Sequence, residues 1–220
     1  MAKIFSWQKR NFNRRDEKDY SFIRTLYITW FLYFVVWPAA IFWYNIKIEG
    51  WHNVDRKGKR YMYTSNHQSY IDPPLLSIVA NRPVAYMAKE ELFTHKNPLI
   101  RFLVISLGSF AVNREKPERA TLKTIKDIVN KTNWQMGMFP QGKIVTEGDL
   151  FADVKSGFVS LAKLAKMDIV PIAICGFDGY AILPFSKHLT LKIGKPISYE
   201  LPEEEITKQW INYMKENLNV

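Results

Sequence analysis

His67 and Asp72 fall in the run Ser65-Asn66-His67-Gln68-Ser69-Tyr70-Ile71-Asp72-Pro73-Pro74, a spacing that can set an imidazole against a carboxylate on one short segment. A carboxylate holding one ring nitrogen fixes the tautomer, so the other nitrogen can accept a proton from a hydroxyl near neutral pH. Alone, such a pair is more often coincidence than chemistry. Its flanks shift that balance. Tyr61-Met62-Tyr63-Thr64 reads as a buried strand, Asn66 to Ser69 as a polar turn, and Leu75 to Ala80 as the start of a helix after Asp72-Pro73-Pro74. The histidine then sits where a strand ends, the edge at which open α/β sheets bind ligands.

The elements that must position this pair follow an alternation of short apolar strands and amphipathic helices, the pattern of parallel βαβ units. Strands are expected at Ile46 to Glu49, Arg60 to Thr64, Val84 to Ala88, Ser109 to Val112, Met136 to Phe139, Ile169 to Ile174 and Leu189 to Ile193. Helices are expected at Pro73 to Ala80, Pro98 to Ser106, Pro117 to Lys131, Ser156 to Lys166 and Pro202 to Leu218. The fold class is α/β, a mostly parallel sheet covered by helices. A chain of 220 residues suits one such domain with an appendage. We place the domain at 47–220 and the appendage at 1–46.

The appendage is apolar. No charged residue occurs from Thr25 to Ile46, a stretch long enough, at about 1.5 Å per residue, to cross a bilayer. Its flanks argue against a simple span. Lys3, Lys9, Arg10, Arg14, Arg15, Lys18 and Arg24 precede it, Lys47, Arg56, Lys57, Lys59 and Arg60 follow it, and both sets favour the cytoplasmic side. Pro38 interrupts the run, and Trp30, Trp37, Trp43 and Trp51 with Tyr27, Tyr33 and Tyr44 are rings that settle at headgroup level. A kinked helix or a helical hairpin inserted in one leaflet is expected, a monotopic or peripheral attachment to the cytoplasmic face of a cell membrane. Ordinary core helices are the alternative. A cleaved signal peptide fits poorly, because the basic region is too long and a small-residue cleavage site is missing.

A net charge of +10 suits an anionic membrane or an acidic partner. Basic residues are spread along the chain with no Arg-rich recognition signature, so nucleic acid is not an expected partner. The one cysteine, Cys175, excludes an internal disulfide and reads as a small buried hydrophobe. Gly137-x4-Gly142-Lys143 resembles part of a phosphate-binding loop, but Ile144 stands where a magnesium-binding hydroxyl is needed and Pro140 removes an amide. The chain has no G-x-S-x-G elbow and no further His or Cys near His67 to complete a zinc site. His52, His95 and His188 lack an acidic partner at comparable spacing. They read as surface or structural residues.

Three more segments end strands. Gly108 to Arg114 closes on a guanidinium able to clamp a phosphate through two parallel hydrogen bonds. Phe139-Pro140-Gln141-Gly142-Lys143 makes a tight turn where the Gly142 amide and the Lys143 amine can face an anion. Val170-Pro171-Ile172-Ala173-Ile174 is a buried supporting strand. Taken in order with Asn66-His67-x4-Asp72, these segments resemble the four motif blocks of the 1-acylglycerol-3-phosphate O-acyltransferases and the wider glycerolipid acyltransferase family, over roughly residues 48–197. Ala88-Lys89-Glu90-Glu91-Leu92 is similar to a lysine-bearing stretch near that family's acceptor phosphate. The chain departs from the pattern at Asn113, where the family has Asp, at Gln141 for Glu, and at Lys143-Ile144 for Thr-Arg.

The resemblance implies an acyltransferase in which His67, oriented by Asp72, deprotonates a lysolipid hydroxyl. That oxygen attacks an acyl thioester, with the Gly142 turn stabilising the oxyanion. Lys89, Arg114, Gln141 and Lys143 are the implied acceptor-binding residues, with lysophosphatidic acid, or a lysolipid with another headgroup, as acceptor. Acyl carrier protein or coenzyme A carries the acyl group, and no metal or other cofactor is implied. The rival reading is an idle membrane-bound protein that keeps the fold to bind anionic lipid or a partner. A soluble hydrolase would need a nucleophile that the chain does not offer.

Overall fold

The computed structural model describes residues 12–112, 119–145, 151 and 154–218. Among these residues seven strands form one sheet: β1 (Lys47–Glu49), β2 (Tyr61–Ser65), β3 (Val84–Lys89), β4 (Phe110–Val112), β5 (Gln135–Met138), β6 (Asp168–Cys175) and β7 (Thr190–Ile193). Their spatial order is β1-β7-β6-β2-β5-β3-β4. Every neighbouring pair is parallel except β6 and β7. The α/β sheet read from the sequence is therefore present, with boundaries shifted by a residue or two. The reversal of β7, and of β1 which runs parallel to it, is the feature that strand composition does not reveal, since an apolar run carries no direction.

β2 is central and buried along its whole length, and its period-2 alternation feeds two cores. Tyr61 and Tyr63 pack with Leu75, Leu76 and Val79 of α3 (Asp72–Ala80). Met62 packs on the opposite face with Ile125 and Ile128 of α5 (Arg119–Lys131), Phe158 of α6 (Gly157–Ala165) and Trp210 of α7 (Glu203–Leu218). Trp210 donates its indole N–H to Thr64 Oγ1 at 2.8 Å, so α7 grips β2 by a buried hydrogen bond as well as by area. α4 (Pro98–Ser106) lies toward the β3–β4 edge, where Phe12, Ala88, Phe93, Ile105 and Ala111 form a smaller cluster. Pro117, the expected start of α5, lies outside the described residues.

The apolar appendage is a single helical run, Glu17–Tyr44, in which an extended Ser21 separates an opening turn from an unbroken helix beginning at Phe22, and not a hairpin. It opens with a 3-10 turn, and Ser21 Oγ then accepts the Arg24 N–H at the start of α1 (Phe22–Phe31). Leu32–Val36 form a π-turn, closed by the Trp37 N–H on Leu32 O, before α2 (Trp37–Tyr44). The widened turn admits the Pro38 ring, whose nitrogen has no hydrogen to donate, without ending the helix. Asn45 then stops it in the left-handed region at φ 39°. One stripe, including Ile28, Leu32, Ala40 and Tyr44, packs on the domain. Phe22, Ile23, Leu26, Trp30, Phe34 and Phe42 face outward, and only 17% of the apolar window is buried. A core helix would show the opposite.

Candidate active site

The parallel strands deliver their C-terminal ends to one edge of the sheet. His67 follows β2, the Phe139 to Lys143 turn follows the neighbouring β5, and Lys89 ends β3, paired with Val112 of β4. Lys89 and Lys143 are exposed. Arg114, two positions beyond Val112, lies outside the described residues, as does Asn113.

The turn carrying His67 is fixed from below by Asn66, which is fully buried. Its Oδ1 accepts the Ile174 N–H at 2.8 Å, and its Nδ2 donates to Ile174 O at 3.0 Å and to Gln68 Oε1 at 3.1 Å. The side chain thus completes the β-ladder where β2 leaves β6. Asp72, with no exposed surface, opens α3 and receives four donors. Oδ2 accepts from Gln68 N at 2.7 Å, from Ser69 N at 2.8 Å and from His67 Nδ1 at 2.8 Å, while Oδ1 accepts from Ser69 Oγ at 2.6 Å. A carboxylate ringed by donors requires the proton on Nδ1, which leaves Nε2 as the acceptor. Nε2 makes no hydrogen bond to any described residue, and the imidazole keeps 17% of its side-chain surface exposed. The pair can take a proton from a hydroxyl brought to this edge.

A stack of rings supports the imidazole. His67 lies over Phe139 at 4.1 Å and 19°, and Phe139 lies over Tyr86 at 6.1 Å and 15°. Tyr86 Oη donates to Pro73 O at 2.7 Å, pinning the first turn of α3 beside Asp72. Burial pushes the Tyr86 phenol well above its ordinary range, so it remains a donor. Gly137 makes this possible, because a Cβ there would lie 2.3 Å from the Tyr86 ring. Tyr86, Ser69 and the bracing role of Asn66 were not singled out from the sequence. Tyr86 in particular reads as one more alternating strand residue.

Two expectations for the β5 turn need correction. The Gly142 N–H closes the turn on Phe139 O at 2.9 Å, with Gly142 at φ 70°, so this amide is not the open oxyanion donor that the sequence suggested. Gln141 is 2% exposed and does not line a substrate surface. Its Oε1 accepts the His67 N–H at 2.6 Å, and the Val145 N–H donates back to His67 O at 2.8 Å. Gln141 is a positioning residue. An amide oxygen serves a backbone N–H without adding a second carboxylate beside Asp72. Gln141→Leu keeps the volume and orphans that N–H, at a cost of about 1–3 kcal/mol. The expected result is a drop of roughly tenfold or more in kcat with little change in acceptor KM, measured by steady-state kinetics.

Cys175 is the third outcome. It is half-buried, burial pushes its thiol up, and Sγ donates to Asn217 O at 3.3 Å. A neutral, hydrogen-bonded thiol is no nucleophile.

A sequence model of the Acyltransferase family matches residues 45–175, a stretch that carries the whole arrangement from β2 to the end of β6. The chain belongs to the Acyltransferase family. Curated relatives include the 1-acyl-sn-glycerol-3-phosphate acyltransferase of Streptococcus pneumoniae, 26% identical over 193 residues, 76% of this chain and 70% of that protein. The enzyme of the same name from Bacillus subtilis is 28% identical over 160 residues, 72% of this chain and 77% of that one. That of Limnanthes douglasii is 31% identical over 144 residues, where the match spans 64% of this chain and about half, 48%, of the plant protein. The crystal structure of the 1-acyl-sn-glycerophosphate acyltransferase PlsC from Thermotoga maritima superposes with a TM-score of 0.68 at 22% identity, over 97% of this chain and 86% of that one. This acyltransferase shares that fold.

Proposed function

We propose that this acyltransferase moves a fatty acyl group from an acyl thioester to the free hydroxyl of 1-acyl-sn-glycerol 3-phosphate, giving phosphatidic acid. The observation that carries the reading is the His67 Nδ1 to Asp72 Oδ2 bond of 2.8 Å, with Nε2 open at the C-terminal edge of the sheet. The names of its curated relatives supply the acceptor. Nε2 takes the hydroxyl proton as the oxygen bonds to the thioester carbon. The tetrahedral intermediate then expels the thiolate, which takes the proton back from the imidazolium and leaves as a thiol. Lys89, Arg114 and Lys143 are the cations proposed for the acceptor phosphate. Lys143 is a point charge one position before Ile144, which stands where the resembled pattern carries a guanidinium. Acyl carrier protein or coenzyme A is the proposed carrier, drawn by the net positive charge.

The helix of the 1–46 segment lies in one leaflet on this reading, a monotopic attachment to the cytoplasmic face of the cell membrane, with residues 47–220 as the catalytic domain. Its outward apolar face supports that placement. An idle lipid-binding protein on the same fold would have no use for a carboxylate ringed by four donors that leaves one imidazole nitrogen open. Purified protein in detergent, given a panel of lysolipids with acyl-CoA or acyl carrier protein donors and read by mass spectrometry, is expected to yield phosphatidic acid. A product from another lysolipid alone would reassign the acceptor, and no product from any pair would leave the idle reading in its place.

A further inference from the structure

β6 and β7 are antiparallel neighbours, yet residues 176–189 join them where about two to five would do. The tip of this loop carries Tyr180, Ile182, Leu183 and Phe185, all exposed, with Ile182 at 85% and Leu183 at 67%. From Gly179 to Ser186 the loop has no charged residue. At its base, Lys187 Nζ meets Asp178 Oδ1 at 2.9 Å, so the two flanking charges neutralise each other. A contiguous apolar tip of this kind is unusual on a water-facing surface.

The tip is also held in place. The Phe185 N–H donates to Phe42 O at 2.8 Å, the rings of the two residues meet at 5.3 Å, and the Ala181 N–H donates to Tyr44 Oη at 3.2 Å. A groove of about 570 Å³ runs between loop and helix, lined by Trp37, Pro38, Ala39, Ile41, Phe42 and Phe185. The outward face of the helix therefore continues across the groove onto the loop without a polar break. At its other end the loop reaches the catalytic turn, where the Tyr70 N–H approaches Tyr180 Oη at 3.5 Å.

We infer that the β6–β7 loop is a second lipid-inserting element, entering the interface and outer hydrocarbon of the same phospholipid bilayer as the N-terminal helix. The inference rests on reading that helix as membrane-embedded. An acidic carrier protein would seek unpaired cations, and this tip has none. A lone helix lying in an interface is free to roll about its axis. A second contact off that axis stops the roll, and this one does so beside Tyr70, holding the His67 edge against the surface from which a lipid acceptor must come.

The test uses the full-length chain in a Cys175→Ser background, with a polarity-sensitive fluorophore on Ile182→Cys in the loop, Phe34→Cys on the helix, or Glu204→Cys on the exposed start of α7. With vesicles of mixed phosphatidylglycerol and phosphatidylethanolamine, the loop and helix labels are expected to brighten several-fold and to be quenched by lipids brominated on the acyl chain. The α7 label is expected to stay unchanged. A helix label that enters while the loop label behaves like the α7 one overturns this inference alone. If neither enters, the membrane reading itself falls and takes this one with it. A loop label shielded by acyl carrier protein but not by vesicles would make the tip a protein-docking surface and overturn the lipid assignment.

Discussion

His67→Ala is expected to lower acyl transfer by about 10²–10⁴, the range over which a positioned general base acts, while leaving the melting temperature within a few degrees of the parent. The second half of that statement follows from the surroundings of Asp72. Removing the imidazole takes away one of four donors to the buried carboxylate, and Gln68 N, Ser69 N and Ser69 Oγ remain at 2.7, 2.8 and 2.6 Å. The charge stays solvated by the protein, so the loss is of the order of one hydrogen bond, about 1 kcal/mol. Phe139 loses its stacking partner but keeps Tyr86 beneath it. Binding should persist too, because Lys89 and Lys143, two of the cations proposed for the acceptor, belong to the ends of β3 and β5 and not to the His67 turn. A calorimetric scan alongside a single-turnover assay checks both parts. Retained turnover in a folded His67→Ala protein would remove the base from the mechanism, and free imidazole restoring part of the lost rate would support it.

What could be read from the sequence about this site divides along a physical line. The strand ends were legible because Tyr61 to Thr64 and Ile169 to Ile174 are apolar runs of strand length bounded by polar turns, and burial alone sets that pattern. The His67–Asp72 contact was legible because a turn followed by a helical start brings positions five apart together. The roles of Gln141 and Gly142 were not. Whether a turn amide points at a ligand or closes on Phe139 O depends on the dihedral angles of that turn, and residue type constrains those only weakly. Gln141 sits under His67 because β5 happens to neighbour β2 in the sheet, an adjacency between residues 74 positions apart. Pro38 left a kinked helix and a hairpin both open. A proline within an apolar run ordinarily ends a helix, and here the π-turn at Leu32–Val36 absorbs it. The result is the single helix of those two alternatives, with an outward apolar face.

Asp72→Asn and Asp72→Ala should part company, and the way they do so reports what the carboxylate contributes. In the asparagine variant the side chain has one acceptor oxygen and one donor nitrogen. Placing the oxygen at the Oδ2 position keeps the bonds from Gln68 N, Ser69 N and His67 Nδ1, and the nitrogen then faces Ser69 Oγ, a hydroxyl that can turn round and accept. The tautomer survives with Nε2 still open. What is lost is the negative charge opposite the imidazolium that forms when Nε2 takes a proton. A charged hydrogen bond replaced by a neutral one is worth roughly 1.5–3 kcal/mol, or about 10- to 100-fold in rate. Alanine removes the acceptor altogether. It leaves the buried Ser69 N–H and the Gln68 N–H without partners at about 1–3 kcal/mol each, frees the imidazole to turn, and unpins the start of α3. Its rate should fall toward that of His67→Ala, with a melting temperature well below that of the asparagine protein. Kinetics and calorimetry on the two variants separate charge from orientation. Full activity in a folded Asp72→Asn protein would mean that the charge does nothing for the imidazolium, and that Asp72 serves only to fold the turn.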